Sequence, residues 1–544
     1  MKDADDTAVD AKRDYEIRAA GDAHPMGWET PAINDLRSAL DHLGKFEGEI
    51  YQTGVPVDPR AELAGVYRFI GAGATVQPPR RRGPAMLFNS VKGHEGSRVL
   101  VGLLASRRRV SRLLGAPERE LGKQMGRARH IVTPPRDVPQ SDAPCQEIIH
   151  RATDEGFDLR KILPAPTNTE EDAGPYFCMG LLLGSDPDDR DNVDVTIHRL
   201  CVQSADELTI FFAPGRHIDA FRRKAEARGE PLPVTVNMGL DPAIYIGAEF
   251  EAPTTPFGFD ELCVAGGLRG VPVELTQAVS VRQRAIARAE IVIEGEILPG
   301  MRMAEDRSTG TGKAMPEFPG YTGDANPSLP VLKVKAITTR RNPILETLVG
   351  PGEEHVSMAG IPTEASIWNA CEDALPGLVQ NVYAHPSGGG KFLAILQVRK
   401  RSAADDGMAK QAAVIALAVY RELKTVILVD EDVDLFDSDD VLWAMQTRYV
   451  GDLDTTFLPG LTGHVLDPTQ QPSYDPRVST KGTTSKTIFD CTVPHGLKEH
   501  FVRAKFQLVD ASKWAPDLYD DARRAGERAI LEGTFQIGKE EGNR

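Results

Sequence analysis

At residues 193–200 the chain reads Val-Asp-Val-Thr-Ile-His-Arg-Leu. Alternation of this kind fits a β-strand, with Asp194, Thr196 and His198 on one face and Val195, Ile197 and Arg199 on the other. Short β-type runs bounded by Gly, Pro and Asp surround it, at residues 176–183, 208–212, 234–240, 271–275 and 289–293. Strands at that spacing predict a barrel or a sandwich. After a further strand at 331–337 the pattern changes. A helix at 364–371, a strand at 393–398, a helix at 409–423 and a strand at 425–429 read as an α/β lobe. Upstream, Leu36, Leu40 and Leu43 fall on one face of a helix at 33–43. Residues 49–51 and 64–70 read as short strand or helix pieces, and an apolar region starts at 98–104. Residues 1–30 read as a polar arm, and 516–531 as a terminal helix suited to packing on another subunit.

The bulk composition narrows the function. A chain of 544 residues is long enough for two to four lobes of about 100–200 residues each. With a net charge of −16, its average field repels a phosphate backbone, which argues against nucleic acid as a partner. Two basic runs, Arg80 to Arg82 and Arg107 to Arg109, read as solvated or interface faces. The six cysteines are scattered with no CxxC pair, which excludes a zinc ribbon and suits reduced thiols in the cytoplasm. No stretch approaches the roughly 18 apolar residues of a membrane span, and the first residues lack a signal-peptide core.

Several constellations are able to carry chemistry. Asp194, His217 in Pro-Gly-Arg-His at 214–217, and Glu261 offer two carboxylates and an imidazole, a set that suits Mn²⁺ or Mg²⁺. Taken alone, each is also an ordinary polar residue on a strand or turn. Residues 315–324, Met-Pro-Glu-Phe-Pro-Gly-Tyr-Thr-Gly-Asp, read as a fixed irregular loop. Partial desolvation of Glu317 between Pro and Phe would raise its pKa toward a useful acid–base range; the plain alternative is a surface turn. Ser-Gly-Gly-Gly-Lys at 387–391 is either a phosphate cradle ending in Lys391 or a flexible turn. Residues 429–434, Val-Asp-Glu-Asp-Val-Asp, read as a solvated strand end or a charge-paired interface rather than a cation site.

In combination these motifs resemble the UbiD family of prenylated-flavin decarboxylases. The likeness runs from about residue 85 to 510. It rests on TIHR at 196–199, PGRH at 214–217, ELCVAGGLRG at 261–270, AEIVIEG at 289–295, PEFPGYTG at 316–323, VDEDVD at 429–434 and WAMQTR at 443–448. PEFPGYTG and HVSMAGIPTEASI at 355–367 are similar to the branch of protocatechuate and gallate (hydroxybenzoate) decarboxylases.

The resemblance implies an α/β (α+β) fold. Its parts would be a polar arm at 1–30, an N-terminal α/β lobe at 31–145, and a flavin-binding split β-barrel at 146–345. A C-terminal α/β oligomerisation lobe at 346–510 and a helix and tail at 511–544 would follow. It implies reversible, non-oxidative decarboxylation of an aromatic acid, with prenylated FMN as electron sink. Mn²⁺ (or Mg²⁺) on Asp194, His217 and Glu261 would grip the flavin phosphate with the help of K⁺. Thr196, Ile197, His198, Arg199, Arg216, His217, Glu261 and Lys391 would bind the cofactor. Arg199 and Glu317 would be catalytic. Arg216, His355, Lys391 and His464 would line the substrate pocket.

The family's second acid has no counterpart at the expected spacing. Thr322 stands five positions after Glu317, and Asp324 is the next acid, so the third catalytic member stays open. The implied partners are the aromatic acid, carbon dioxide, a flavin prenyltransferase as cofactor supplier, and further copies of the chain in a homodimer or homohexamer. The same chemistry on a phenazine, indole or pyrrole carboxylate, flavin or nucleotide binding without chemistry, and a metal-dependent hydrolase active without flavin are the competing readings.

Overall fold

Six antiparallel strands close a barrel in the middle of the chain. They are β1 (Tyr176–Ser185), β2 (Val193–Val202), β3 (Glu207–Ile210), β4 (Leu232–Met238), β5 (Ile291–Met303) and β6 (Leu329–Thr339). The order around the barrel is β5-β4-β1-β2-β3-β6, and β6 pairs back onto β5 from Ile291–Thr339 to Met303–Leu329. Closure leaves no free edge. The structure is a computed structural model that describes residues 30–77, 81–212, 215–250, 255–470, 482–507, 509 and 513–516. The expected N-terminal arm and the terminal helix fall almost wholly outside these residues.

Three helices bring functional side chains to the barrel: α1 (His217–Ala227), α2 (Leu262–Arg269) and α3 (Glu353–Ala374). The local sequence explains how they fit. A Cβ on Gly184 of β1 would sit 2.9 Å from Ile218, so glycine lets α1 lie close against the strand. A Cβ on Gly267 of α2 would meet the Ile131 carbonyl at 1.8 Å, so α2 packs on backbone where a side chain has no room. The sequence at 214–217 reads only as a strand end or turn, yet His217 begins α1. The predicted helix at 364–371 is the second half of the 22-residue α3, which runs through Pro362.

Two further sheets flank the barrel. In the N-terminal sheet, Ile50–Thr53, Ala85–Phe88, Arg98–Val101 and Ile344–Thr347 lie side by side. The last strand comes from beyond the barrel. One apolar cluster accordingly runs from Leu36, Leu100 and Leu113 through barrel residues Leu181 and Val195 to Ile361 of α3. The C-terminal sheet orders Val379–Ala384, Leu393–Val398, Thr425–Asp430, Thr483–Cys491 and Thr455–Thr462. Its central pairings are parallel and its outer ones antiparallel. The mixed α/β class agrees with the sequence reading.

In the basic run at 107–109, Arg107 and Arg109 point inward and Arg108 is exposed, where the expectation was a solvated or interface face throughout. Arg107 grips Glu364 of α3 with two bonds of 2.7 and 3.0 Å, both groups buried. Arg109 donates to the carbonyls of Glu49 and Gly83 at 3.1 and 2.8 Å. The acid-dense strand end at 429–434 is charge-paired: Arg448 binds Asp430 at 2.9 Å and Asp432 at 2.6 Å, and Arg119 pairs with Asp434. Removing one partner of a buried pair strands the other. Arg107→Met should therefore cost about 3–5 kcal/mol, read as a lower urea midpoint. An unchanged midpoint would show that the pair contributes nothing net.

Candidate active site

The site begins where β2, α1 and α2 converge. Asp194 on β2 is buried, and its Oδ2 accepts from the Thr196 hydroxyl and the Ile218 N–H, both at 3.0 Å. His217, the first residue of α1, has Nδ1 3.4 Å from Asp194 Oδ1. Glu261 stands at the N-terminus of α2, 3% exposed, with Oε2 lacking a hydrogen-bond partner among the described residues. One ligand atom from each residue lies within 4.8 Å of the others. Burial pushes the Glu261 carboxyl well above its ordinary pKa, and the Asp194 charge adds to the shift. Two buried carboxylates, an imidazole and an orphaned oxygen fit a hard divalent cation, which would supply the missing positive charge.

Three cavities run on from this corner. The corner itself, about 50 Å³, is lined by the three ligands with Gly215, Arg216 and Arg421. Arg216 also lines a cavity of about 150 Å³ that holds Ile197, His198, Arg199, Glu317, His355 and Lys391. Arg199, Phe211, Glu317 and Leu466 are shared in turn with an outer cavity of about 590 Å³ beside Pro319 and Tyr321. The predicted metal, cofactor and catalytic residues thus line neighbouring cavities that share wall residues. His464 sits just behind its wall, packed on Phe318.

Arg199 is clamped from two sides. Its Nη1 pairs with Glu317, while Nε and Nη2 each reach a Glu305 oxygen at 3.1 Å. Glu305 is almost wholly buried and also accepts from the Tyr176 hydroxyl at 3.1 Å and the Asn326 N–H at 2.9 Å. Glu305 is thus a second carboxylate on Arg199, and it precedes Glu317 in the chain. Asp324 is exposed and pairs with Lys313 at 2.8 Å. No sequence pattern marks Glu305, because its side-chain partners Arg199 and Tyr176 lie more than a hundred residues away.

Glu317 is held by its backbone. The segment read as an irregular loop is the tip of a hairpin between Lys313–Pro316 and Thr322–Asp324. The Glu317 N–H donates to Tyr321 O and the Gly320 N–H to Glu317 O, both at 2.9 Å. Phe318 turns inward to pack against His355, Phe392 and His464, with ring centroids 5.4, 5.0 and 4.8 Å away. Gly389, at φ +62°, clears that ring: a Cβ there would lie 2.3 Å from it. The Ser387–Lys391 turn thus serves aromatic packing and delivers Lys391 to the cavity.

The histidines differ in what they offer. His355 Nδ1 is 3.1 Å from the Gly350 carbonyl, so Nδ1 carries the hydrogen and Nε2 keeps a lone pair. Burial, with Lys391 nearby, pushes its pKa down to about 4. His464 Nδ1 accepts from the Leu466 N–H at 3.0 Å, so its hydrogen sits on Nε2, facing Glu422. His198 is buried and neutral, its pKa pushed down to about 3 by burial and then Arg216. Glu422, which the sequence reading missed, lies 3.1 Å from Lys391 Nζ.

Comparison with known proteins places the chain in a family. The chain matches the 3-octaprenyl-4-hydroxybenzoate carboxy-lyase Rift-related domain over residues 136–353. It matches the C-terminal domain of the same family over 356–491 and the N-terminal domain over 43–129. It is 52% identical over 477 residues to gallate decarboxylase of Lactiplantibacillus plantarum, covering 87% of this chain and 97% of that protein. The apo structure of 3,4-dihydroxybenzoic acid decarboxylase from Enterobacter cloacae superposes with a TM-score of 0.85 at 64% identity, over 89% of this chain and 99% of that one. The UbiD-class enzyme HmfF from Pelotomaculum thermopropionicum, solved in complex with FMN, gives 0.76 at 32% identity, over 87% and 97%. Three matched domains in order and relatives this similar over most of their length identify the chain as a carboxy-lyase of the UbiD family.

Proposed function

We propose that the chain reversibly decarboxylates a hydroxylated aromatic acid such as 3,4-dihydroxybenzoate or gallate, using prenylated FMN. The observation that carries this reading is Arg199 clamped between Glu305 and Glu317 in a cavity that shares Arg216 with the Asp194–His217–Glu261 corner. The names of the relatives support the substrate class. The FMN and prFMN complexes of HmfF support the cofactor.

The prenylated flavin, when bound, supplies an electron sink for the departing carboxylate's bonding pair. Asp194, His217 and Glu261 would hold Mn²⁺ or Mg²⁺ at the phosphate end, with K⁺ assisting and Arg216 adding positive charge. Thr196, Ile197 and His198 form the strand wall beside it. Arg199 orients Glu317, which would take up a proton from solvent through the outer cavity and pass it to the ring carbon once carbon dioxide has left. His355 Nε2 accepts a phenolic proton, while the Lys391 ammonium stabilises the phenolate so formed. Buried free cysteines suit a reducing cytoplasm. A flavin prenyltransferase supplies the cofactor, and a homodimer or homohexamer is the working assembly.

The test is carbon dioxide release from a panel of acids by protein co-expressed with a flavin prenyltransferase, with the bound flavin weighed by mass spectrometry. Dihydroxy- and trihydroxybenzoates should be turned over, and benzoate should not. The acid limb of kcat/KM should fall near pH 4, because His355 is a base only while unprotonated. Preference for a phenazine, indole or pyrrole carboxylate would overturn the substrate class. Bound flavin with no turnover of any acid would overturn the decarboxylase reading.

A further inference from the structure

The turn after the helix Asp405–Val419 reads Tyr-Arg-Glu-Leu-Lys at 420–424. It belongs to the C-terminal lobe, yet its side chains reach the barrel's cavities. Arg421 lines the cation corner. Lys424 Nζ lies 2.8 Å from Asp467 and 2.9 Å from the Thr469 hydroxyl, tying down the loop that carries His464. Between them, Glu422 Oε2 accepts from Lys391 Nζ at 3.1 Å and from the Tyr420 hydroxyl at 3.3 Å. Its Oε1 is 3.6 Å from His464 Nε2. Burial opposes ionisation of Glu422, but Lys391, His464 and Arg216 outweigh it and hold the carboxyl well below the usual range. Lys391 lines the 150 Å³ cavity and Glu422 does not, so any action of Glu422 on a substrate passes through its partners.

We propose that Glu422 is a positioning residue for the hydroxyl-bearing end of the substrate: it fixes the Lys391 ammonium and the His464 ring so that the cavity presents a held positive charge to a phenolic oxygen. The proposal rests on the decarboxylase reading above. Lys391 is 7% exposed at its side chain and shares its surroundings with Arg216. Take the carboxylate away, and two cations face each other in a desolvated pocket. The ammonium then sheds its proton or swings away. The groups facing this cluster are Arg216, His355, His464, Glu249, Lys391 and Lys486. His355 is already neutral well below pH 7. Lys486, lowered to about 8 by burial, donates to the Leu417 and Arg421 carbonyls and belongs to the frame.

The experiment uses flavin-loaded enzyme and 3,4-dihydroxybenzoate. Glu422→Gln should keep its flavin and lose about 100-fold in kcat. The basic limb of its pH profile should move down by about one unit, since the charge that favours the ammonium is gone. Glu422→Asp should recover the wild-type profile. Lys391→Met combined with Glu422→Gln should lose less than the two single losses multiplied together, because part of what Glu422 does passes through Lys391. An unmoved profile with unchanged kcat, or losses that add in the double variant, would overturn the proposal. A separate readout uses the ligand-free wild-type chain, where imidazole ¹⁵N shifts should place the His464 hydrogen on Nε2. A hydrogen on Nδ1 in active enzyme overturns the role of Glu422. Inactivity of the wild type on every acid, with the Nε2 tautomer present, overturns the decarboxylase reading instead.

Discussion

Replacing Glu317 with glutamine should lower turnover by about 10²–10⁴ while the flavin stays bound. The amide keeps the shape of the side chain and its backbone-fixed position at the hairpin tip, so the cavity survives. What it lacks is a proton to exchange and a charge for Arg199 to hold. Arg199 would remain anchored by its two bonds to Glu305, so the fold should not suffer. Stopped-flow spectra should show the acid binding normally and then failing to turn over. A Gln variant with wild-type kcat would remove Glu317 from the chemistry. One that comes out free of flavin would make it a cofactor anchor instead.

The second large effect belongs to the cation corner. Asp194→Ala should empty the flavin site and leave activity at background. Losing mere outer-shell partners of a ligated metal already costs 10–100-fold in affinity, so loss of a direct ligand should cost at least about 100-fold. The same variant strips a partner from Thr196 and from the Ile218 N–H at the start of α1, which loosens His217 as well. Dialysis against a chelator should reproduce the effect in the wild type, with recovery on adding back Mn²⁺. Asp194→Asn is the control: it keeps an oxygen ligand and the Ile218 contact, so it should retain part of the flavin. Full occupancy and activity in Asp194→Ala would end the metal proposal.

How far the sequence was readable follows from the range of the forces involved. The strand at 193–202 announces itself because alternation is local. The ion pairs that give it meaning are not local: Arg199 meets Glu305 and Glu317 across the barrel. Nothing in Met-Arg-Met-Ala-Glu-Asp at 301–306 distinguishes the buried Glu305 from its half-buried neighbour Asp306, and only the closed barrel separates them. The helix at 262–269 was missed because two consecutive glycines argue against a helix. They are there for close packing on residues 131–133. Pro362 made the first half of α3 unreadable for a similar reason. The strand Thr455–Thr462, interrupted by Pro459 and Gly460, hides behind turn residues while pairing with Thr483–Cys491. Asp194, His217 and Glu261 came together because each sits at or beside the start of an element, β2, α1 and α2 respectively.

The strand Ile344–Thr347, which completes the N-terminal sheet, has a consequence for synthesis. A ribosome that has just made Val101 must add some 246 residues (347 − 101) before that strand exists. At ordinary rates of roughly 5–20 residues per second, this is a wait of about 12–50 s. Over that interval the nascent first lobe exposes an unpaired strand edge at Arg98–Val101, the sort of surface that chaperones bind and that aggregates recruit. A fragment ending near residue 145 should inherit the same defect permanently, whereas a fragment carried past residue 347 should escape it.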